Sequence, residues 1–346
     1  SRYIQARVFH CRPSWHPMAH LGTVLVTGAT GRVGRSTLAL LATSGRFKIR
    51  ATARDEKTHD YLKSLGANEC VKFDLKDEST WKPATEGITH VFSSSMDALI
   101  QQHMDFAKFL GEQRKSDIKH VVRVSCFGAD TNTSSYNPDL HSSMAGAPIP
   151  LMLQHYWWSE ECMINAGLPV TSVRGNFYMN HLLKNEVENI KNGFFNSPLG
   201  TCRNSFVSAC DQGEAAAVCL LEGPERHANK FYDITGPQAQ SMHEVAADLS
   251  EVIGQKVEYR EQDIEQFAKD FGPTRAQFFE YLRNGFYTRC SPDFYNLTGR
   301  KPASYREYLT QAGPHGGTGL EELFSAAGSV FTKGVDQFAH LKDLKK

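Results

Sequence analysis

Thr23-Val24-Leu25-Val26-Thr27-Gly28-Ala29-Thr30-Gly31-Arg32-Val33-Gly34 decides the fold, because an apolar run empties into three glycines spaced three apart and then into the helix-forming Ser36 to Ala42. Each glycine does a separate job in such a corner. Gly28 permits the tight turn off a strand, Gly31 lets backbone N–H groups approach a pyrophosphate, and Gly34 lets the helix lie close to the sheet. The helix N-terminus offers partial positive charge to phosphates. Glycine-rich corners also arise for backbone reasons alone. Here a strand precedes the turn and a helix follows it, which predicts a dinucleotide-binding turn with Gly28, Thr30, Gly31, Arg32, Val33 and Gly34 on the cofactor.

The second strand selects the dinucleotide. An NAD site places an Asp or Glu about 20 residues past the motif, on the ribose 2′-hydroxyl. Phe47-Lys48-Ile49-Arg50-Ala51-Thr52-Ala53-Arg54 ends in Arg54, whose guanidinium fork suits a 2′-phosphate. Arg54 therefore predicts NADP. Arg32 and Arg35 at the mouth of the turn are expected to add to the same positive field; the competing reading turns Asp55 inward and restores NAD.

Composition fits an enzyme-sized chain. Its 346 residues are 40% hydrophobic and carry 38 basic and 38 acidic side chains, so a large core can be buried and no net charge favours nucleic acid. The first acidic residue is Asp55, and nine Lys and Arg precede it. No apolar run approaches the roughly 18 residues of a membrane span. Eight cysteines show no C-x-x-C pair and no metal-like spacing with histidine, which predicts reduced thiols and no bound metal.

From His20 to about Arg174, strand and helix signals alternate. After the first two strands come Cys70 to Phe73, Thr89 to Ser93, His120 to Ser125 and Pro169 to Arg174, with the clearest helix over Leu99 to Arg114. This rhythm predicts an α/β fold, a Rossmann-type doubly wound parallel sheet with ligands along one edge. Gly175 to Asn180, directly after the sixth strand, is expected at the nicotinamide end, with Asn176 and Phe177 as contacts.

Taken in order, T-G-A-T-G-R-V-G, Phe73-Asp74-Leu75, Ile118 to Ser125, Asn165 to Thr171 and Tyr232-Asp233-Ile234-Thr235-Gly236-Pro237 resemble the NmrA-like family of atypical short-chain dehydrogenases over about Leu21 to Leu309. The resemblance implies that Asp74 and Leu75 flank the adenine and that Phe92, Ser93 and Ser94 line the cofactor. An alternative reading makes Asp74 a helix N-cap. The resemblance also implies an NADP-binding domain over 21–175 and about 201–235, and a smaller α+β substrate-covering part over about 176–200 and 236–312, including a strand at Lys256 to Tyr259.

Catalysis departs from the usual short-chain pattern. The Tyr-x-x-x-Lys helix, in which lysine lowers the tyrosine pKa, corresponds here to Tyr156-Trp157-Trp158-Ser159-Glu160. Glu160 stands one turn beyond Tyr156, where a carboxylate is expected to raise the phenol pKa. Tyr156, Ser125 at the fifth strand's end and His155 are the catalytic candidates. One function class is an NADPH-dependent reductase passing hydride to a conjugated or aromatic acceptor of quinone, enone or iminium type, which needs less acid assistance than an isolated ketone. The other is a non-catalytic NADP(H)-binding redox sensor acting through a protein partner.

Three segments complete the reading. Gly128 to Pro150, with Tyr136, His141 and Met144, is expected to form a lid over an aromatic-walled pocket for an apolar molecule. Residues 1–20 are Arg-rich and aperiodic, which suggests upstream sequence or a transit-peptide remnant. The first alternative predicts a cytoplasmic protein, the second an organellar one. Residues 313–346 form a tail in which Leu320 to Leu344 reads as one amphipathic helix that docks on the body, bridges a homodimer or stays loosely attached.

Overall fold

The computed structural model describes residues 19–95, 99–129, 150–181 and 183–325. Its strands, in chain order, are β1 (Gly22–Val26), β2 (Phe47–Ala53), β3 (Glu69–Lys72), β4 (His90–Ser93), β5 (His120–Cys126), β6 (Val170–Gly175), β7 (Phe194–Ser197), β8 (Lys230–Ile234) and β9 (Glu258–Glu261). Seven of them form one parallel sheet in the order β3-β2-β1-β4-β5-β6-β8. The order reverses between β1 and β4, and the strand ends beside that switch point open a crevice.

Alternation explains why these runs are strands buried on both faces. Val24, Val26, Phe92 and Val122 point to one face, while Leu25, Val91, Val121 and Val170 point to the other. The helices of eight residues or more are α1 (Arg32–Ser44), α2 (Ile100–Gln113), α3 (Leu151–Asn165), α4 (Ala209–Glu222), α5 (Met242–Ile253), α6 (Ile264–Phe271) and α7 (Pro273–Arg283). Small residues let α1 and α4 meet closely on the first face. A Cβ on Gly213 would fall 2.8 Å from the Cβ of Ser36, and the Thr37 hydroxyl donates to the Gly213 carbonyl at 3.0 Å.

A third apolar cluster lies beyond the carboxyl ends of the strands. Phe127, Phe177, Phe195, Phe206, Val245, Leu249, Phe267, Phe279, Leu282 and Tyr287 belong to it, and β7 pairs with β9 over it as a two-stranded parallel sheet. The strand signal at Lys256 to Tyr259 is realised two residues later. Val257 instead fills the core, with its N–H bonded to Ser250 Oγ at 2.8 Å.

The tail corrects the sequence reading. Its helix spans Gly319–Phe324 and stops at Ser325, which is extended. The Ser325 hydroxyl donates to the Glu322 carbonyl at 2.8 Å and Lys184 Nζ donates to the same oxygen at 3.1 Å. Side-chain donors thus take a carbonyl that helix propagation would need. Residues 326–346, like 1–18 and most of the expected lid at 130–149, lie outside the described residues. No helix among the described residues is long and apolar enough to cross a membrane.

Candidate functional site

The glycine corner is built as a cradle. Gly28 has φ +59, the left-handed region that glycine enters at little cost. A Cβ on Gly34 would lie 2.3 Å from the Gly28 carbonyl oxygen, so α1 reaches the turn only without a side chain there. Gly31 is the N-cap of α1, supplies no side-chain cap, and the first turn contains no acidic residue. The orphan N–H groups of that end therefore face outward as an anion site. Thr27 locks the corner to β4: its hydroxyl accepts from Ser94 N–H at 2.9 Å and donates to the Ser94 carbonyl at 3.1 Å.

Below the cradle a cleft of about 320 Å³ runs along the ends of β5 and β6. Gly31, Arg32, Val33, Gly34 and Ser94 form its cradle side, and Ser125, Cys126, Gly175 and Asn176 its floor. Tyr156, Phe177, Tyr178, Phe278 and Phe279 supply aromatic wall. Gln212 of α4 braces the floor from beneath: its Nε2 donates to the carbonyls of Val173 at 2.7 Å and Ser125 at 3.1 Å, while its Oε1 accepts from the Tyr178 hydroxyl. A Cβ on Gly175 would strike that amide at 2.5 Å.

The remaining cofactor candidates stand as follows. Gly28 and Thr30 are exposed on the turn, and Arg54 is exposed just past β2. Asp55 does not turn inward; its carboxylate caps the next turn, accepting from Lys57 N–H at 2.9 Å. Asp74 accepts from Lys76 N–H at 3.0 Å, whereas the N-cap of the following 3₁₀ turn is Asp77. The side chains of Leu75 and Phe92 are buried in the core. Ser93 is buried, and its carbonyl accepts from Arg123 Nη1 at 3.2 Å. Asn176 is committed to the fold, donating to Ser205 Oγ at 2.9 Å and accepting from Phe177 N–H at 2.6 Å.

Among the catalytic candidates, Tyr156 and Ser125 face one another's cleft and His155 does not line it. His155 is buried with its ring 5.3 Å from that of Trp158, about 100° around the helix from Tyr156. Ser125 is 3% exposed, and its hydroxyl has no hydrogen-bond partner among the described residues. The expectation for Glu160 is corrected. Its carboxylate is 1% exposed and points to the sheet, forming a two-pronged pair with Arg174 of β6, Nε to Oε1 at 2.9 Å and Nη2 to Oε2 at 2.7 Å. Helical spacing put Glu160 near the Tyr156 face, and the buried arginine draws it to the sheet side of that face.

A second correction concerns Arg32 and Arg35. Rather than leaving an open positive field, both pair with Glu322 of the tail: Arg32 Nε lies 3.2 Å from its carboxylate and Arg35 Nη2 is in direct contact with it. His315 also bonds that carboxylate at 2.9 Å and reaches Ser36 Oγ at 3.0 Å. Leu323, buried in the third cluster, anchors the segment.

Asn180 was expected only as the end of the Gly175 to Asn180 segment, whereas the roles of Thr27, Gln212 and Arg174 were missed from the sequence alone. Thr27 sat inside the quoted motif, and only its Gly-adjacent position hinted at a role. For the others the partners lie on distant segments.

The glycine cradle, the strand order and the following cleft agree with a match of residues 21–284 to the NmrA-like family. The chain belongs to the NmrA-like family. It is 26% identical over 295 residues to an NAD(P)H azoreductase of Xenophilus azovorans, covering 82% of this chain and 96% of the azoreductase. Among solved NmrA-like folds, an NADPH-dependent quinone oxidoreductase from Escherichia coli, complexed with NADPH, superposes with a TM-score of 0.67 at 21% identity, over 82% of this chain and 98% of that one. NmrA itself, a negative transcriptional regulator in complex with NADP, superposes with a TM-score of 0.61 at 17% identity, over 84% and 94%.

Proposed function

We propose that this NmrA-like protein is an NADP(H)-dependent reductase acting on a small conjugated or aromatic acceptor. The observation that carries the reading is the junction of two features: an uncapped glycine cradle and, continuous with it, an aromatic-walled cleft where the buried Ser125 hydroxyl has no partner among the described residues. The residues fit a dinucleotide. Gly28, Gly31 and Gly34 let the turn and α1 close up against one another and leave an uncapped helix end, since a Cβ on Gly28 would meet Ser94 and one on Gly31 or Gly34 the Gly28 carbonyl; Arg54 is exposed to meet a 2′-phosphate, and Asp55 is occupied elsewhere. That last pair favours NADP over NAD, since no carboxylate remains at the strand end for the ribose hydroxyl. The homologous azoreductase and the quinone oxidoreductase fold support the reaction class.

When bound, the reduced nicotinamide supplies hydride to the acceptor. Tyr156 and Ser125 orient the acceptor's oxygen over the β5 and β6 ends, and their hydroxyls hydrogen-bond charge that develops there. No lysine follows Tyr156 by one turn, and Glu160 is held by Arg174 away from the acceptor. The chain therefore lacks the usual relay for a strong acid. A conjugated acceptor, which spreads its charge, suits that site. Phe177, Phe278 and Phe279 exclude water from it.

The sensor reading is favoured by one observation, the clasp of Glu322 on Arg32 and Arg35, which links the tail to the phosphate cradle. Single-turnover mixing of NADPH-loaded protein with duroquinone separates the two. Loss of reduced-nicotinamide absorbance in step with quinol formation supports the reductase; tight NADPH binding with no oxidation across quinones and enones supports the sensor.

A further inference from the structure

Asn180 is 4% exposed, lines the cleft, and its Nδ2 has no hydrogen-bond partner among the described residues. A buried amide donor left unmade is uncommon and asks for an external partner. Its backbone is held firmly. Met179 N–H donates to Val207 at 3.1 Å, the Tyr305 hydroxyl donates to the Met179 carbonyl, and Lys184 N–H donates to the Asn180 carbonyl at 3.2 Å. The fold thus fixes the residue while leaving its amide group unspent. Ser125 contributes a second orphan donor, its hydroxyl, to the same cleft.

The charged side chains that line the cleft have one sign, although Arg32 is paired with Glu322, which does not itself line it. Among the described lining residues, Arg32 and Arg275 are the ionised side chains, and no carboxylate is present. Arg275 is 5% exposed and enters from the first turn of α7. His181, another lining residue, has its pKa pushed down to about 3 by burial, with Arg32 and Arg275 adding to the shift. A further positive charge is therefore disfavoured at this point of the cleft.

We infer that Asn180 is the specificity-determining residue for the acceptor, its side-chain amide donating, together with the Ser125 hydroxyl, to a carbonyl or oxyanion oxygen, so that quinone- and enone-type acceptors are taken and cationic iminium-type acceptors are refused. This inference rests on the reductase reading for its importance, but its test is a binding measurement that needs no turnover. A neutral asparagine in an arginine-flanked, carboxylate-free wall gives a donor to the acceptor oxygen and nothing to a cation.

The experiment is equilibrium dialysis on the full chain loaded with NADP⁺, using duroquinone and N-methylquinolinium as probes. Asn180→Asp keeps the shape and replaces the donor with a carboxylate. It is expected to weaken duroquinone binding by about tenfold or more and to raise quinolinium affinity, inverting the preference. Asn180→Leu, made alongside in case the aspartate disturbs folding, is expected to lose duroquinone by a similar factor without gaining quinolinium. Unchanged duroquinone affinity in both variants overturns the inference. So does a loss of NADP⁺ affinity with the duroquinone-to-quinolinium ratio preserved, which assigns Asn180 to the nicotinamide carboxamide instead. If hydride transfer fails while the preference inverts, the acceptor site stands and the reductase reading falls.

Discussion

Replacing Glu160 by lysine would recreate the Tyr-x-x-x-Lys spacing on paper, and the structure says that it should wreck the protein rather than repair it. Glu160 and Arg174 are 1% and 8% exposed at the side chain and share two hydrogen bonds of 2.9 and 2.7 Å. Solvent screening is slight at that burial, so removing the carboxylate leaves a buried guanidinium without its counter-charge, a loss of about 3–5 kcal/mol. Glu160→Gln retains volume and one acceptor and is expected near the lower end, about 3 kcal/mol. Glu160→Lys sets two cations face to face and should reach or exceed the upper end. With an unfolding entropy of about 2.1 cal/mol/K per residue over 346 residues, 3 kcal/mol lowers Tm by about 4 °C. Urea unfolding read by circular dichroism gives the difference directly. Stability of Glu160→Lys within about 1 kcal/mol of the parent, together with an acid-shifted pH profile, would refute the reasoning and return Glu160 to the cleft.

Other consequences follow from the same geometry. Arg54→Asp should weaken NADPH binding by more than tenfold while leaving NADH binding nearly unchanged, because only the 2′-phosphate distinguishes them, as charge-assisted pairing of about 1.5–3 kcal/mol implies; equal losses in fluorescence titration would remove Arg54 from the phosphate. Glu322→Gln frees Arg32 and Arg35 from their carboxylate, so NADPH should bind several-fold tighter at low salt, with the gain shrinking as salt rises; no change would mean the clasp and the phosphate do not share these arginines. Gly34→Ala pushes a methyl toward the Gly28 carbonyl and should cost NADPH affinity far more than Gly45→Ala, where nothing lies within 4 Å, once both are compared at equal folded fraction. Burial lowers the pKa of His90 and His315 to about 4 and of His120 and His181 to about 3. Each folded-state value lies below the ordinary 6.5, so the unfolded chain takes up more protons and stability falls as pH drops from about 6.5 toward 4, by up to about 1.4 kcal/mol per pH unit for each histidine; urea midpoints flat between pH 7 and 5 would contradict this.

Much of the fold was legible because it rests on local pattern. Apolar runs bounded by turn residues marked the first six strands, and the glycine spacing marked the cradle, since Gly28 and Gly34 are dictated by backbone conformation and close approach within a dozen residues. What escaped depends on partners far along the chain. The Arg174 that claims Glu160 sits on the neighbouring strand, and the Glu322 that claims Arg32 and Arg35 arrives nearly 300 residues later. Helical periodicity put Glu160 beside Tyr156 but could not say which of two neighbouring surfaces it meets. Continuous periodicity likewise suggested one helix to Leu344, where Ser325 and Lys184 spend the carbonyl that the next turn needs. Position after the sixth strand put Asn180 at the nicotinamide end with its segment, but only burial without a partner among the described residues singles out its side chain.

Transfer of deuterium from 4-deuterated NADPH, each stereoisomer in turn, into duroquinone, enones and aromatic ketones, read by mass spectrometry in the enzyme-bound and enone products and by a primary isotope effect on quinol formation, tests the central claim most directly. The account predicts transfer from one face only, with duroquinone and the enones reduced. Saturating NADPH binding with no label, no isotope effect and no product from any acceptor would contradict it.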